Sequence, residues 1–160
     1  MEKLLLGANE IPSVLYRVQH KWYYVPPCAS VNKGIYALKI DAKEPSTLNK
    51  LVAEVNNHLS LCHPPIRSFP ALWISPFISV FSRREDAEES LRSRRGKPGD
   101  GMWTVFELSG EDIAAKECKV IRLSDVKGSE TRLASEFLIW RYIPEEAILR
   151  SYAWTNDPSK

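Results

Sequence analysis

Charge imbalance, long apolar runs and patterned cysteines are all scarce in this chain, and each lack removes a class of function. The formal net charge is +2 over 160 residues. That is too small to make nucleic acid or an acidic membrane surface an expected partner. The opening residues Met1 to Gly7 hold only the short apolar run Leu4-Leu5-Leu6. Such a run is far below a signal-peptide core or a membrane span, so cytoplasm or nucleus is the expected location, with no membrane partner. Cys28, Cys62 and Cys118 are odd in number, widely spaced and free of any CxxC pattern. They read as reduced thiols of an intracellular protein. His20, His58 and His63 are scattered. They show no zinc-site convergence and read as loop or helix-surface residues.

What is present suits one domain over residues 1–160, with a core from about 14 to 154. A chain of this length buries a sizeable core without covalent staples. Its hydrophobic fraction of 44% is ordinary for a globular protein. Five tryptophans and six tyrosines are a generous aromatic endowment. They serve packing first and stacking on a planar ligand second.

Val14 to Val18 reads as a first strand with Arg17 inside it. Residues 20 to 47 read as loop, with a short strand near Ile35 to Ile40. Ser46 or Thr47 caps a helix through His58, since Leu48, Leu51, Val52, Val55 and Leu59 recur at helical spacing. His63-Pro64-Pro65 ends it. Leu72 to Phe81 is a β-rich run interrupted by Pro76. Ser82, with Glu85 three residues on, has the spacing of a capping box for a helix from Arg83 to about Arg94. The turn-rich stretch 94–101 follows. Strands are expected at Met102 to Leu108, Val120 to Leu123, Glu136 to Ile143 and Ile148 to Trp154, with a short turn or helical piece from Ser109. Many short strands, two helices and no βαβ rhythm imply an α+β fold of two small, mostly antiparallel sheets.

Three polar residues interrupt otherwise apolar strands: Arg17, Ser79 and Glu136. Each has a plain structural reading. Arg17 suits a sheet-edge ion pair or a strand brace, Ser79 a local turn bond, and Glu136 a solvated strand end. Each also has a chemical one. A guanidinium binds phosphate or carboxylate in a bidentate way, and a carboxylate beside a cleft stabilises a developing cation. The basic runs Arg83-Arg84 and Arg92 to Lys97 are balanced by Glu85, Asp86, Glu88 and Glu89 and read as a solvated helix end with its loop.

The order of these residues resembles a known family. Leu15-Tyr16-Arg17 comes first. Ser79 stands eight residues before Ala87, and Glu136 stands seven residues before Ile143-Pro144. This is similar to the arginine–serine–glutamate pattern of mono-ADP-ribosyltransferases of the cholera toxin and heat-labile enterotoxin type. The segment Ile143-Pro144-Glu145-Glu146-Ala147-Ile148 is similar to the family's stretch after its catalytic glutamate. The chain also resembles an uncharacterised domain class of fungal proteins with Ser-Pro-Phe-Ile-Ser and Ser-Glu-Phe-Leu stretches.

The resemblance covers about residues 14 to 154. It implies an ADP-ribosyltransferase-like split β-sandwich with flanking helices and NAD as substrate. It makes Glu136 the catalytic carboxylate and Arg17 and Ser79 the residues of the NAD pocket. Trp73 or Phe81 would stack on nicotinamide, and a protein could be the acceptor. Two departures bear on the acceptor. The family's Ser-Thr-Ser reads Ser79-Val80-Phe81, and the first glutamate of its Glu-x-Glu is Ala134. Alanine cannot deprotonate an arginine acceptor, so the expected acceptor is another group or water. A catalytically inactive interaction module on the same fold is the alternative.

Overall fold

The computed structural model describes residues 4–20, 34–37, 41–61, 75–93, 103–126 and 134–155. The expectations for Trp73, for residues 38–40, for 94–101 and for His63 lie outside the described residues, as do Cys28 and Cys62. Among the described residues, eight strands and three helices succeed one another. They are β1 (Val14–His20), β2 (Ile35–Tyr36), α1 (Leu48–Leu61), β3 (Phe77–Phe81), α2 (Arg84–Ser93), β4 (Trp103–Ser109), α3 (Gly110–Ala115), β5 (Val120–Arg122), β6 (Glu136–Trp140), β7 (Tyr142–Ile143) and β8 (Ile148–Ala153).

The fold is α+β, as the strand pattern implies. Six strands form one sheet in the order β5-β6-β3-β1-β4-β8, and β2 and β7 form a second, smaller one. Every described strand pair is antiparallel. Among the described residues no helix is long and apolar enough to cross a membrane.

Alternation sets the layers. Leu15, Ile78, Val80, Phe137 and Ile139 share one face of the large sheet and pack with Ile35 and Ala37 around β2, Ile113 of α3, and Ile143 of β7. Phe77, Leu138 and Trp140 share the other face and pack with Leu51 and Val55 of α1. β3 and β6 are therefore buried along their whole length, which explains their nearly continuous apolar sequence.

Local signals place the helices. Of the two candidate caps for α1, the structure uses Thr47, whose Oγ1 accepts the Lys50 amide at 3.3 Å. Ser109 caps α3 by accepting the Asp112 amide at 3.1 Å. α2 starts at Arg84, one residue beyond the sequence reading, and the Ser82 amide donates instead to the Ser135 carbonyl at 2.9 Å.

The sequence reading made one strand of Glu136 to Ile143. The structure divides it at Arg141, which has φ 69°. Its amide donates to Pro76 O at 2.8 Å beside β3, and its carbonyl accepts the Ala37 amide at 2.7 Å beside β2. One residue thus turns the chain out of the large sheet and into the small one. A positive φ disfavours any side chain, and a β-branched one most.

This corner yields a stability prediction. Arg141→Gly should unfold at the same or higher denaturant concentration than wild type. Arg141→Val should lose about 1–2 kcal/mol or more. Urea unfolding of the three proteins checks this, and equal midpoints for the glycine and valine variants would remove the positive-φ corner from the fold.

Candidate functional site

Three adjacent strands of the large sheet, β1, β3 and β6, carry Arg17, Ser79 and Glu136. Across them runs one row of opposed residues: Tyr16 on β1, Phe81 on β3 and Glu136 on β6. Directly opposed residues of antiparallel strands share a face. Ser79 lies two residues before Phe81, so Ser79 and Glu136 stand on one face, the side covered by α1 and α2.

Arg17 starts from the other face of β1 by the same alternation. It meets Ser79 nonetheless, because β1 and β3 pair only at Tyr16 and Phe81 and then part. Arg17 Nη1 donates to the Ser79 carbonyl at 2.9 Å. Its Nε reaches Gln19 Oε1 at 3.4 Å. The guanidinium thus stands in for main chain where the ladder between β1 and β3 has ended. The sheet-edge ion pair considered for Arg17 does not describe this position, since β1 is a central strand. Arg17, Val18, Ser79 and Phe81 line a small recess with Ala87 and Leu91 of α2. Glu136 does not line this recess; it stands one strand over, opposite Phe81.

All three are buried, which fits the strand brace considered for Arg17 but not a solvated end for Glu136. Arg17 is 8% exposed, Ser79 6% and Glu136 5%. Glu136 begins its strand but is not a solvated strand end, because the sheet face it stands on is covered. Ser79 is mid-strand and makes no local turn bond of the kind considered for it. Its hydroxyl bonds a helix instead.

That helix contributes the residue that sequence reasoning misplaced. His58 was read as a loop or surface histidine, but it is 7% exposed. Its Nε2 lies 3.0 Å from Ser79 Oγ, and its Nδ1 lies 2.5 Å from Ser75 Oγ. In either tautomer of a neutral ring, one nitrogen donates and the other accepts. Ser75 Oγ also accepts the Phe77 amide at 3.0 Å, so its own hydrogen can serve either the ring or the Phe77 carbonyl at 3.4 Å. The ring packs edge-on to Phe77, with centroids 5.8 Å apart. The signal for this was in the sequence. Leu51, Val55 and His58 fall at i, i+4 and i+7, the buried stripe of α1.

Around Glu136 the chain is tied to α2. The Ser135 hydroxyl donates to Asp86, and Ser135 is itself buried. Ala134 is exposed at the turn before the strand. Glu145 and Glu146 are directed elsewhere. They lie on a short 3₁₀ turn, Glu145–Ala147, where Glu146 meets Lys116 beside α3 at 3.2 Å. That amine and a backbone hydrogen bond hold the Glu146 carboxyl below its usual range.

Glu107, on β4, is held low by a two-point bond from Arg150 at 2.6 and 2.7 Å. This pair sits toward the β8 edge, away from Glu136. Among the described residues no group of three or more His, Cys, Asp or Glu side chains is placed to hold a metal ion.

A family model described as a domain of unknown function, DUF7587, matches residues 10–157 of the chain. No curated protein matches it.

The buried histidine gives the next test. His58→Ala should lose about 2–4 kcal/mol, from the cavity and from two hydroxyls left without a ring nitrogen. Ser75→Ala should lose about 1 kcal/mol. Denaturant midpoints measure both. A His58→Ala protein as stable as wild type would mean that the ring is not packed into this network.

Proposed function

The chain belongs to the DUF7587 family, and from that premise we propose that it is an NAD-dependent mono-ADP-ribosyltransferase-like protein. It would cleave the nicotinamide–ribose bond and transfer ADP-ribose to a non-arginine acceptor or to water. The carrying observation is the Arg17–Ser79 contact at 2.9 Å between β1 and β3, with β3 directly beside the strand that bears Glu136.

The chemistry follows from the bond that breaks. The glycosidic bond from ribose C1′ to the nicotinamide nitrogen parts, and its electron pair leaves with the ring as neutral nicotinamide. C1′ and the ring oxygen share the positive charge that remains. The Glu136 carboxylate, held on a buried strand, stabilises that charge and can accept a bond from a ribose hydroxyl. The acceptor's heteroatom then gives a lone pair to C1′ and loses its proton to a base. Arg17 braces β1 against β3 and contributes the positive charge that suits a pyrophosphate. His58 fixes the Ser79 hydroxyl, and Phe81 adds an aromatic surface beside it. Trp73 remains a candidate for stacking.

One observation favours a second reading. Arg17, Ser79 and Glu136 are 5–8% exposed, so a dinucleotide reaches them only if covering chain moves aside. With Ala134 in place of an acid, this burial suits a non-catalytic interaction module on the same fold.

Nicotinamide release from NAD separates the two readings. Wild type should release nicotinamide, and Glu136→Gln, which keeps shape and removes charge, should be slower by about a hundredfold or more. Equal rates would exclude Glu136 as the catalytic carboxylate, and no release from wild type with any acceptor would favour the module. The acceptor is tested with labelled NAD and agmatine. Ala134 has nothing to accept a guanidinium proton, so agmatine should gain little label, and efficient labelling would overturn the non-arginine assignment.

A further inference from the structure

Glu136 is the first residue of β6, at the end of the ladder that pairs it with Phe81. A strand end opens more readily than a strand middle, because the ladder holds it from one side only. A carboxylate that must face charge developing at one atom needs firmer placement than that, since small displacements lower rates steeply.

Two bonds extend the hold past the ladder. The Ser82 amide donates to the Ser135 carbonyl at 2.9 Å. This continues the register of Phe81 and Glu136 by one residue, into the junction between β3 and α2. The Ser135 hydroxyl donates to the Asp86 carboxylate. Asp86 lies in the first turn of α2, where the helix dipole favours a negative charge. α2 is itself anchored, with Ala87 and Leu91 buried. The residue beside Glu136 is therefore fastened at its carbonyl to the junction between β3 and α2 and at its hydroxyl to a packed helix.

We infer that Asp86, acting through the Ser135 hydroxyl, is a positioning residue that fixes the Glu136 carboxylate. The inference rests on the NAD-cleaving reading and adds Asp86 and Ser135 to it. It differs from a simple helix-end charge effect, which would need Asp86 but not the Ser135 hydroxyl.

Steady-state nicotinamide release tests it in wild type, Ser135→Ala, Asp86→Ala, the double variant and Ser135→Thr, with a thermal melt of each. Each alanine variant should lose about tenfold in kcat, with KM for NAD unchanged, because Glu136 acts on the transition state. The double variant should be no slower than either single one, since both remove the same bond. Ser135→Thr keeps the hydroxyl and should restore most of the rate. If Asp86→Ala does not fold, Ser135→Ala and Ser135→Thr decide the question between them. Wild-type kcat in the alanine variants, beside an active wild type, overturns the positioning role and leaves the NAD reading standing. Additive losses, or a loss carried by KM, overturn it as well. An inactive wild type overturns the NAD reading and this inference together.

Discussion

A buried guanidinium bonded to a strand carbonyl is the interaction on which this structure turns. Burying a charge is expensive unless its hydrogen-bonding capacity is met. Arg17 meets part of its own through the Ser79 carbonyl and Gln19. The bond falls where the large sheet is weakest. β1 pairs with β4 along its whole length, from Val14 opposite Ser109 to His20 opposite Trp103. β3 pairs with β6 along its whole length as well. Between β1 and β3 there is one opposed pair, Tyr16 and Phe81. The six-stranded sheet is thus two three-stranded halves, joined by one rung and one arginine side chain.

Ser79 is the residue at which the two halves and α1 meet. Its carbonyl takes Arg17 from β1, its hydroxyl takes His58 from α1, and its Cα partner is Leu138 on β6. α2 covers the same seam with Ala87 and Leu91 and is fastened to the start of β6 through Asp86 and Ser135. Polar networks of this kind stabilise when every member is satisfied and penalise the fold when one is lost. That accounts for a serine persisting in β3, whose other residues are phenylalanine, isoleucine and valine.

Much of this was legible in the sequence, and the remainder was hidden for identifiable reasons. Alternation and turn residues located the strands that bear Arg17, Ser79 and Glu136, because a period of two survives any tertiary arrangement. The helical stripe of α1 was legible too, but its last member is polar, so His58 was assigned to the surface although it continues Leu51 and Val55. The break at Arg141 was invisible, since an arginine at positive φ carries no local signature of the kind that glycine or asparagine would. Sheet order was not legible either. Nothing in the sequence says that β6 lies between β5 and β3, nor that the face carrying Glu136 is covered. Trp73, read as a stacking residue, lies outside the described residues.

The placement of the three polar residues weighs on what they are for. A brace needs only a partner, and Arg17 has one in the Ser79 carbonyl. A core serine needs only a partner, and Ser79 has one in His58. The Glu136 carboxylate, at 5% exposure on an all-buried strand, conflicts with the packing preference of every neighbour, and apolar replacement of buried charges is often neutral or stabilising. Conflicts between local chemistry and global packing are expected at functional sites, where stability is spent on function. Under the proposed NAD reading, that burial means the chain over the Glu136 face would be displaced before a dinucleotide enters.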